Sequence, residues 1–268
     1  YTNRGIAFGQ AGRVEEAIAQ YRLAIGSDPG HVMARISLGK LLADEGRLDE
    51  ALIHYKKALE SVPDQVMAHN NIATVYAKKG EIDKAVEHLR HVLKINPDYT
   101  LARQNLGTIL LRTGMTGEAV EHFRRILATD PANANALNGI GEALVAEGRR
   151  AEAGAYFRKA IEADPKNPYP LYYMGRTYLE MGEWAKAVDN LSKSVEMDGS
   201  NAEYFFWLGS AYFAQGDFRS DKEEFWHSGQ NFRRAIEMGY SNPTSVFMLG
   251  NSLLHRGLYL IANRREPE

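Results

Sequence analysis

The chain has no cysteine among its 268 residues. Disulfides, thiolate metal sites and a cysteine nucleophile are thereby excluded, and cysteine usage leaves the compartment, cytoplasmic or periplasmic, open. Excess charge of one sign is missing as well, because 32 basic residues face 34 acidic ones for a net charge of −2. Without surplus positive potential there is no drive toward a phosphate backbone or an anionic bilayer, so nucleic acid is not an expected partner. No apolar run approaches the roughly 18 to 20 residues needed to span a membrane, and direct membrane insertion by this segment is not expected. The first residues show no charged-then-apolar leader. A chain that opens on Tyr1 rather than on methionine is expected to be a piece of a longer protein.

Recognisable catalytic motifs are missing too. There is no Gly-Lys-Ser/Thr phosphate loop and no nucleophile elbow, and Gly139-Ile140-Gly141 has no strand before it and no helix N-terminus for a pyrophosphate. Adjacent carboxylates such as Glu15/Glu16 and Glu223/Glu224 read as solvated helix faces. His54, His88 and His122 recur every 34 residues, and His88 with His91 forms an i, i+3 pair. Members of that ladder are too far apart for one ion, and the pair has no third ligand beyond Glu87, so they read as half-buried polar residues between helices. Neither catalysis, nor a cofactor, nor a metal is expected of this chain. At 44% apolar and 25% charged residues, it is expected to fold around a sizeable core.

What the sequence does contain is a period. Only nine prolines are present, and five of them, Pro29, Pro63, Pro97, Pro131 and Pro165, are spaced 34 apart, with Gly199 in the next slot. Ten residues beyond each mark stands a small residue (Gly39, Ala73, Gly107, Gly141, Gly175, Gly209), a column that Gly5 and Gly250 extend. A second column is glycine throughout, from Gly12 through Gly46, Gly80, Gly114, Gly148 and Gly182 to Gly216 and Gly257. Five residues after it comes alanine (Ala17 to Ala187), and four further on a ring or leucine: Tyr21, Tyr55, Leu89, Phe123, Phe157, Leu191. The apolar spacing of Ile72, Ala73, Val75 and Tyr76 is a helix stripe, which Gly80 ends by taking a left-handed backbone. Ala85, Leu89 and Val92, at i, i+4 and i+7, line a second helix that Pro97 prevents from continuing. The unit is a helical hairpin whose small residues let its two helices approach closely.

This pattern of 34 residues, two helices, Gly or Ala at the eighth position, Ala at the twentieth and Pro at the thirty-second resembles the tetratricopeptide repeat family. The resemblance covers essentially the whole chain, with repeats at about 1–31, 32–65, 66–99, 100–133, 134–167, 168–201, 202–242 and a partial one at 243–268. It implies an all-α, right-handed superhelical solenoid forming a single domain over 1–268, with the first helix of each repeat lining a concave groove. The function it implies is that of a non-catalytic scaffold binding a protein or an extended peptide. The last repeat stops short, and its apolar run Leu258 to Ile261 stands where a cap should be polar. Further helices, or docking and self-association through that end, are expected.

Family geometry places positions two, five, six, nine, twelve and thirteen of each first helix on the concave wall. Amides occupy the N-terminal half: Asn70, Asn71, Gln104, Asn105 and Asn138. An amide offers one acceptor and two donors, enough to grip a peptide backbone without regard to its sequence. The run Ala68-His69-Asn70-Asn71-Ile72-Ala73 is similar to repeats of O-linked N-acetylglucosamine transferases, which implies an alternative role as the substrate-recruiting domain of a larger enzyme such as a glycosyltransferase. Ser37, Gly139, Tyr173, Trp207 and Met248 depart from a continuous asparagine ladder at position six. A basic clamp for chaperone tails is not reproduced, since Lys40 is followed by Met67 and Leu101 at the second positions of the next repeats. Aromatics take over in the C-terminal half, with Tyr169, Tyr172, Tyr173, Phe206, Trp207, Phe213 and Phe247, and Arg176 among them. They exceed what a repeat core requires, so the expectation is either a ligand pocket or a surface filled by missing helices. Repeat seven carries seven extra residues between Gly216 and Ser228, expected to lengthen the second helix or to form a loop presenting Phe225, Trp226 and His227.

Overall fold

The computed structural model describes residues 1–219 and 221–262, with the side chains of Arg219 and of 258–262 outside that set. The apolar run Leu258 to Ile261 therefore falls outside the described side chains. Among the described residues there are fifteen helices and no strand. First helices of the repeats are α1 (Thr2–Gln10), α3 (Val32–Asp44), α5 (Val66–Lys78), α7 (Thr100–Arg112), α9 (Ala134–Ala146), α11 (Pro168–Glu180), α13 (Ala202–Arg219) and α15 (Pro243–Ala262). Second helices are α2 (Val14–Ser27), α4 (Leu48–Ser61), α6 (Ile82–Ile95), α8 (Thr116–Thr129), α10 (Arg150–Ala163), α12 (Trp184–Met197) and α14 (Lys222–Glu237).

Local chemistry fixes these boundaries. At the end of α5, Gly80 has φ +77°, its N–H donates to Ala77 O at 3.1 Å, and Glu81 N–H reaches back to Tyr76 O at 2.9 Å. That 5→2 and 6→1 pair of bonds needs a left-handed residue, which glycine adopts without strain. Second helices stop differently. The residue before each proline, such as Asp28 (φ −141°) or Val62 (φ −136°), is extended because the proline ring disfavours a helical predecessor. Starts are capped by side chains at several first helices, where Asn133 Oδ1 accepts from Ala136 N at 3.1 Å and Asn167 Oδ1 from Tyr169 N at 3.0 Å. At the head of α4, Arg47 makes a two-pronged contact with Glu50, both bonds at 2.7 Å.

The chain divides into two compact units, residues 1–126 and 127–268. In the first, each helix from α1 to α7 packs on the next, and α1 on α3, α3 on α5 and α5 on α7 meet as alternate neighbours. In the second, α9 to α15 repeat this arrangement. The core of each hairpin is the alanine and ring of its second helix set against the small residue of its first. Ala51, Tyr55, Ala119, Phe123, Ala153 and Phe157 are all buried. A Cβ added to Gly39 would come within 2.6 Å of Tyr55, and one at Gly107 within 2.8 Å of Phe123. Repeat three has Ala73 in this column, and there the opposing residue is Leu89 rather than a ring.

Two sequence expectations need correction. The seven extra residues of repeat seven do not form a loop, and they do not go chiefly to the second helix. The first helix takes most of them: α13 has 18 residues where α11 has 13, and α14 has 16 where α12 has 14. Gly216 lies inside α13 instead of ending it, and a Cβ there would stand 3.0 Å from the Glu224 side chain, so this glycine serves close packing rather than a left-handed turn. Phe225 is buried in α14 against Phe213 and His255 (ring centroids 5.5 and 5.0 Å), while Trp226 and His227 stay exposed on the helix. Likewise Gly257 does not terminate its helix, and α15 continues to Ala262.

Candidate functional site

In the first unit the amides lie on α5 and α7. Asn70, at position five, is buried, and its Oδ1 accepts from Asn105 Nδ2 at 3.0 Å. Thr74 Oγ1 caps the Asn70 carbonyl at 3.1 Å. Asn70 is thus a joint between successive repeats, while Asn71, Gln104 and Asn105 remain half-buried. A recess opens beside Asn105, lined by Thr74, Lys78, Thr108 and Arg112 over the apolar floor of Leu89 and Ile109. Lys78 and Arg112, both at position thirteen of their repeats, place two positive charges at its rim. Sequence reasoning passed over them, although the column Asp44, Lys78, Arg112 turns basic in adjacent repeats. A second recess, lined by Gln10, Tyr21, Ser37, Lys40 and Asp44, is mixed in charge.

The histidines form a closer group than their sequence spacing indicates. His69 Nε2 donates to Pro63 O at 2.9 Å, which leaves its Nδ1 to accept from His88 Nδ1 at 2.7 Å. The His91 ring lies tilted against His69, with centroids 4.4 Å apart, and its Nε2 reaches Asp64 Oδ1 at 3.2 Å. Among the described residues no three His, Cys, Asp or Glu side chains converge to hold a metal. Burial is the leading cause that holds His54, His69, His88 and His122 below the ordinary histidine range, with positive neighbours such as Arg35 and Arg103 adding to it at His54 and His122. Above the unfolded value of about 6.5 both states are neutral and the folded state keeps its full stability. As pH falls below that value the unfolded chain takes up protons that the folded one resists, so stability is lost toward the lower folded values. The urea midpoint is therefore expected to be lower at pH 5.5 than at pH 7.5, and His54→Gln/His122→Gln to reduce that dependence. Equal pH dependence in the variant and the parent would overturn this assignment.

In the second unit most of the aromatic candidates are already occupied. Tyr172 and Phe206 are 3% and 7% exposed and belong to the packing between repeats. Arg176 lies among the rest, its guanidinium 4.2 Å from the Trp207 ring centroid and 5.4 and 6.0 Å from those of Tyr172 and Tyr173. Its Nη1 donates to the Tyr172 hydroxyl at 3.0 Å, that hydroxyl donates to Glu203 Oε1 at 2.6 Å, and Trp207 Nε1 donates to the same oxygen at 3.3 Å. Glu203 is not among the residues expected from the sequence, although it stands four residues before Trp207 and hence on the same helix face. Burial comes first among the causes that push the hydroxyls of Tyr172 and Tyr173 far up, and the carboxylates of Glu203 and Glu142 reinforce it. Tyr173 stacks on Phe157 at 6.1 Å. Asn138 is buried and donates to Glu142 at 2.6 Å. Of the ring candidates only Tyr169, 53% exposed, and Phe247, 65% exposed, offer most of their surface. The candidates comprise an amide and cation recess in the first unit, a self-filled ring cluster in the second, and Phe247 on α15.

Comparison with known proteins agrees with the repeat architecture. Models of the tetratricopeptide repeat match residues 2–66, 64–132, 104–168 and 144–205. A search of curated protein sequences returns no match. Among solved structures, a tetratricopeptide repeat protein from Parabacteroides merdae is similar with TM-score 0.76 at 22% identity, over 94% of this chain and 97% of its own. A chain of the APC/C hetero-tetramer Cut9-Hcn1 gives TM-score 0.79 at 15% identity, over 94% of this chain and 49% of that one, so the present chain spans about half its length. MamA gives TM-score 0.54 at 26% identity, over 62% of this chain and 97% of its own. These likenesses speak to the fold, and the family matches run without a gap from residue 2 to residue 205 through hairpins whose glycine, alanine and ring columns keep one register. The chain belongs to the tetratricopeptide repeat family.

Proposed function

We propose that the protein is a non-catalytic binding module that takes an extended, acidic peptide segment across α5 and α7. Proteins of this family are generally interaction scaffolds that bind proteins or peptides. The observation that carries the reading is the recess beside Asn105. Asn70 holds Asn105 from behind at 3.0 Å, so its amide is fixed in place rather than free to rotate. Preorganised amides lose little entropy when they bond a peptide backbone. Lys78 and Arg112 add positive charge to that rim, which favours a carboxylate-bearing segment over a basic one. Asn71 and Gln104 extend the polar surface along the same helices.

Selection from a random peptide library tests this directly. The expected products are peptides enriched in Asp and Glu, bound with micromolar affinity. Asn105→Ala/Lys78→Ala is expected to weaken them at least tenfold, since each lost hydrogen bond or charge-assisted contact is worth about 1 kcal/mol or more and about 1.4 kcal/mol is a factor of ten. Helicity by circular dichroism should not change. Selection of no binder, or equal affinity in the variant, would refute the assignment.

A further inference from the structure

The helix faces that line the recess beside Asn105 continue past it to a second end. On α5, positions two, six, nine and thirteen are Met67, Asn71, Thr74 and Lys78, and on α7 they are Leu101, Asn105, Thr108 and Arg112. Spaced i, i+4, i+7 and i+11, such residues run down one face of a helix. Both faces therefore read in the same order: large apolar, asparagine, threonine, cation. The order is not general to the repeat, because the equivalent stripe of α3 ends in Asp44 and that of α11 in Glu180. None of the eight residues is buried, whereas Ile72, Val75 and Tyr76 of α5 and Leu106, Ile109 and Leu110 of α7 are buried and supply the packing.

The two ends suit different chemistry. At the basic end, Lys78 Nζ donates to the Ala43 carbonyl at 3.4 Å, a long contact to a neutral acceptor that a carboxylate would outcompete. Arg112 lines the same recess. At the apolar end, Met67 is 41% and Leu101 47% exposed. A single exposed methionine or leucine is ordinary, but these two occupy equivalent places on helices that pack as alternate neighbours. The bond between Asn70 and Asn105 ties the helices together near their middle. The surface between them thus runs from an apolar end, over amides and hydroxyls, to a doubly basic end. Positions two and thirteen are eleven residues apart, or about 16 Å along a helix, a length that an extended peptide covers in about five residues.

We propose that the acidic segment bound by α5 and α7 is two-ended: it lies lengthwise between the helices, sets carboxylates against Lys78 and Arg112, and places a large apolar side chain, four to six residues away, against Met67 and Leu101. This rests on the reading that the recess takes an acidic peptide, and it adds an apolar anchor and a register to that reading. Carboxylates gain charge-assisted bonds at one end, and the anchor removes apolar surface from water at the other. Because one chain must satisfy both ends, the spacing between acid and anchor becomes a determinant of specificity.

Fluorescence anisotropy of the 268-residue chain with labelled dodecapeptides of Ser and Ala tests the proposal. Each probe carries one Glu-Glu pair and one Leu, placed one to eight positions away, and is compared with a probe in which Ser replaces the Leu. The tightest binding is expected at four to six positions, at least about fivefold tighter than the Ser probe. Met67→Ser/Leu101→Ser should bring that ratio close to one, with circular dichroism unchanged because both side chains are exposed. Asn105→Ala/Lys78→Ala should weaken the Leu and Ser probes alike and leave the ratio in place. Four results would overturn the two-ended register while acidic probes still bind: no gain from Leu, indifference to spacing, an optimum at adjacent positions as for a peptide crossing the helices, or a ratio kept in Met67→Ser/Leu101→Ser. If no acidic probe binds, the reading of the recess fails and this inference fails with it.

Discussion

Gly141→Ala is expected to destabilise the protein by about 1–3 kcal/mol, the usual range for an overpacked core. In an open helix the same change stabilises by roughly 1 kcal/mol, so the sign itself is diagnostic. The cause is the ring of Phe157, since a Cβ at Gly141 would lie 2.4, 2.7 and 2.9 Å from its Cε1, Cδ1 and Cζ. Phe157 is 0% exposed, so its ring can move aside only by displacing other core atoms. Repeat three shows the compensated pair, with Ala73 facing Leu89 and both fully enclosed. Phe157→Leu alone should cost about 1–2 kcal/mol through the cavity it leaves. The two substitutions together should cost at least 1 kcal/mol less than their separate losses, because each removes the other's defect. Gly175 marks the limit of the argument: a Cβ there meets not only Leu191 but also the Ala187 carbonyl at 3.2 Å, so leucine at the opposing position does not suffice for alanine. Urea unfolding of the four species around Gly141 measures the coupling, and strict additivity would remove the ring contact as the reason for glycine.

The periodic columns made the hairpins legible because each column corresponds to one local requirement. A proline excludes a helical predecessor, and a glycine after a stripe permits the left-handed turn seen at Gly80. Permission is not obligation, which is why Gly216 and Gly257 misled: both lie within continuous helices, and in the case of Gly216 the reason is its approach to Glu224 on another helix. The insertion in repeat seven is a similar case. A count of residues between two columns gives its size but not which helix receives it. Site residues were legible as types and not as partnerships. Asn70 and Asn105 were both candidates, yet their bond spans 35 positions, and it makes one of them structural. His69 and His88 meet across 19 positions, and Tyr172 finds Glu203 across 31. Such pairings depend on the rise and rotation from one repeat to the next, which no single helix encodes.

Arg176→Ala should have the largest effect in the aromatic half, a loss of about 2–4 kcal/mol. The guanidinium stacks 4.2 Å from the Trp207 centroid and bonds the Tyr172 hydroxyl, so its removal forfeits a partly desolvated cation–π contact and a charge-assisted hydrogen bond together. It also leaves Glu203, which accepts from Tyr172 and Trp207, without the cation nearest its cluster. Half-enclosed charge left without a counterpart is more damaging than loss of the pair. Arg176→Ala/Glu203→Gln should therefore recover part of the stability. Arg176→Lys should recover less than half of the arginine's contribution, because an ammonium has no plane to lay on the indole. Guanidinium unfolding followed by circular dichroism measures all three. The outcome also bears on function, because rings that hold their own arginine have little face left for a ligand. A loss under about 1 kcal/mol in Arg176→Ala would mean that the guanidinium rests on these rings without being needed there. The exposed parts of Tyr173 and Trp207 would then be open to a partner's side chain, and binding would have to be sought in both halves of the protein.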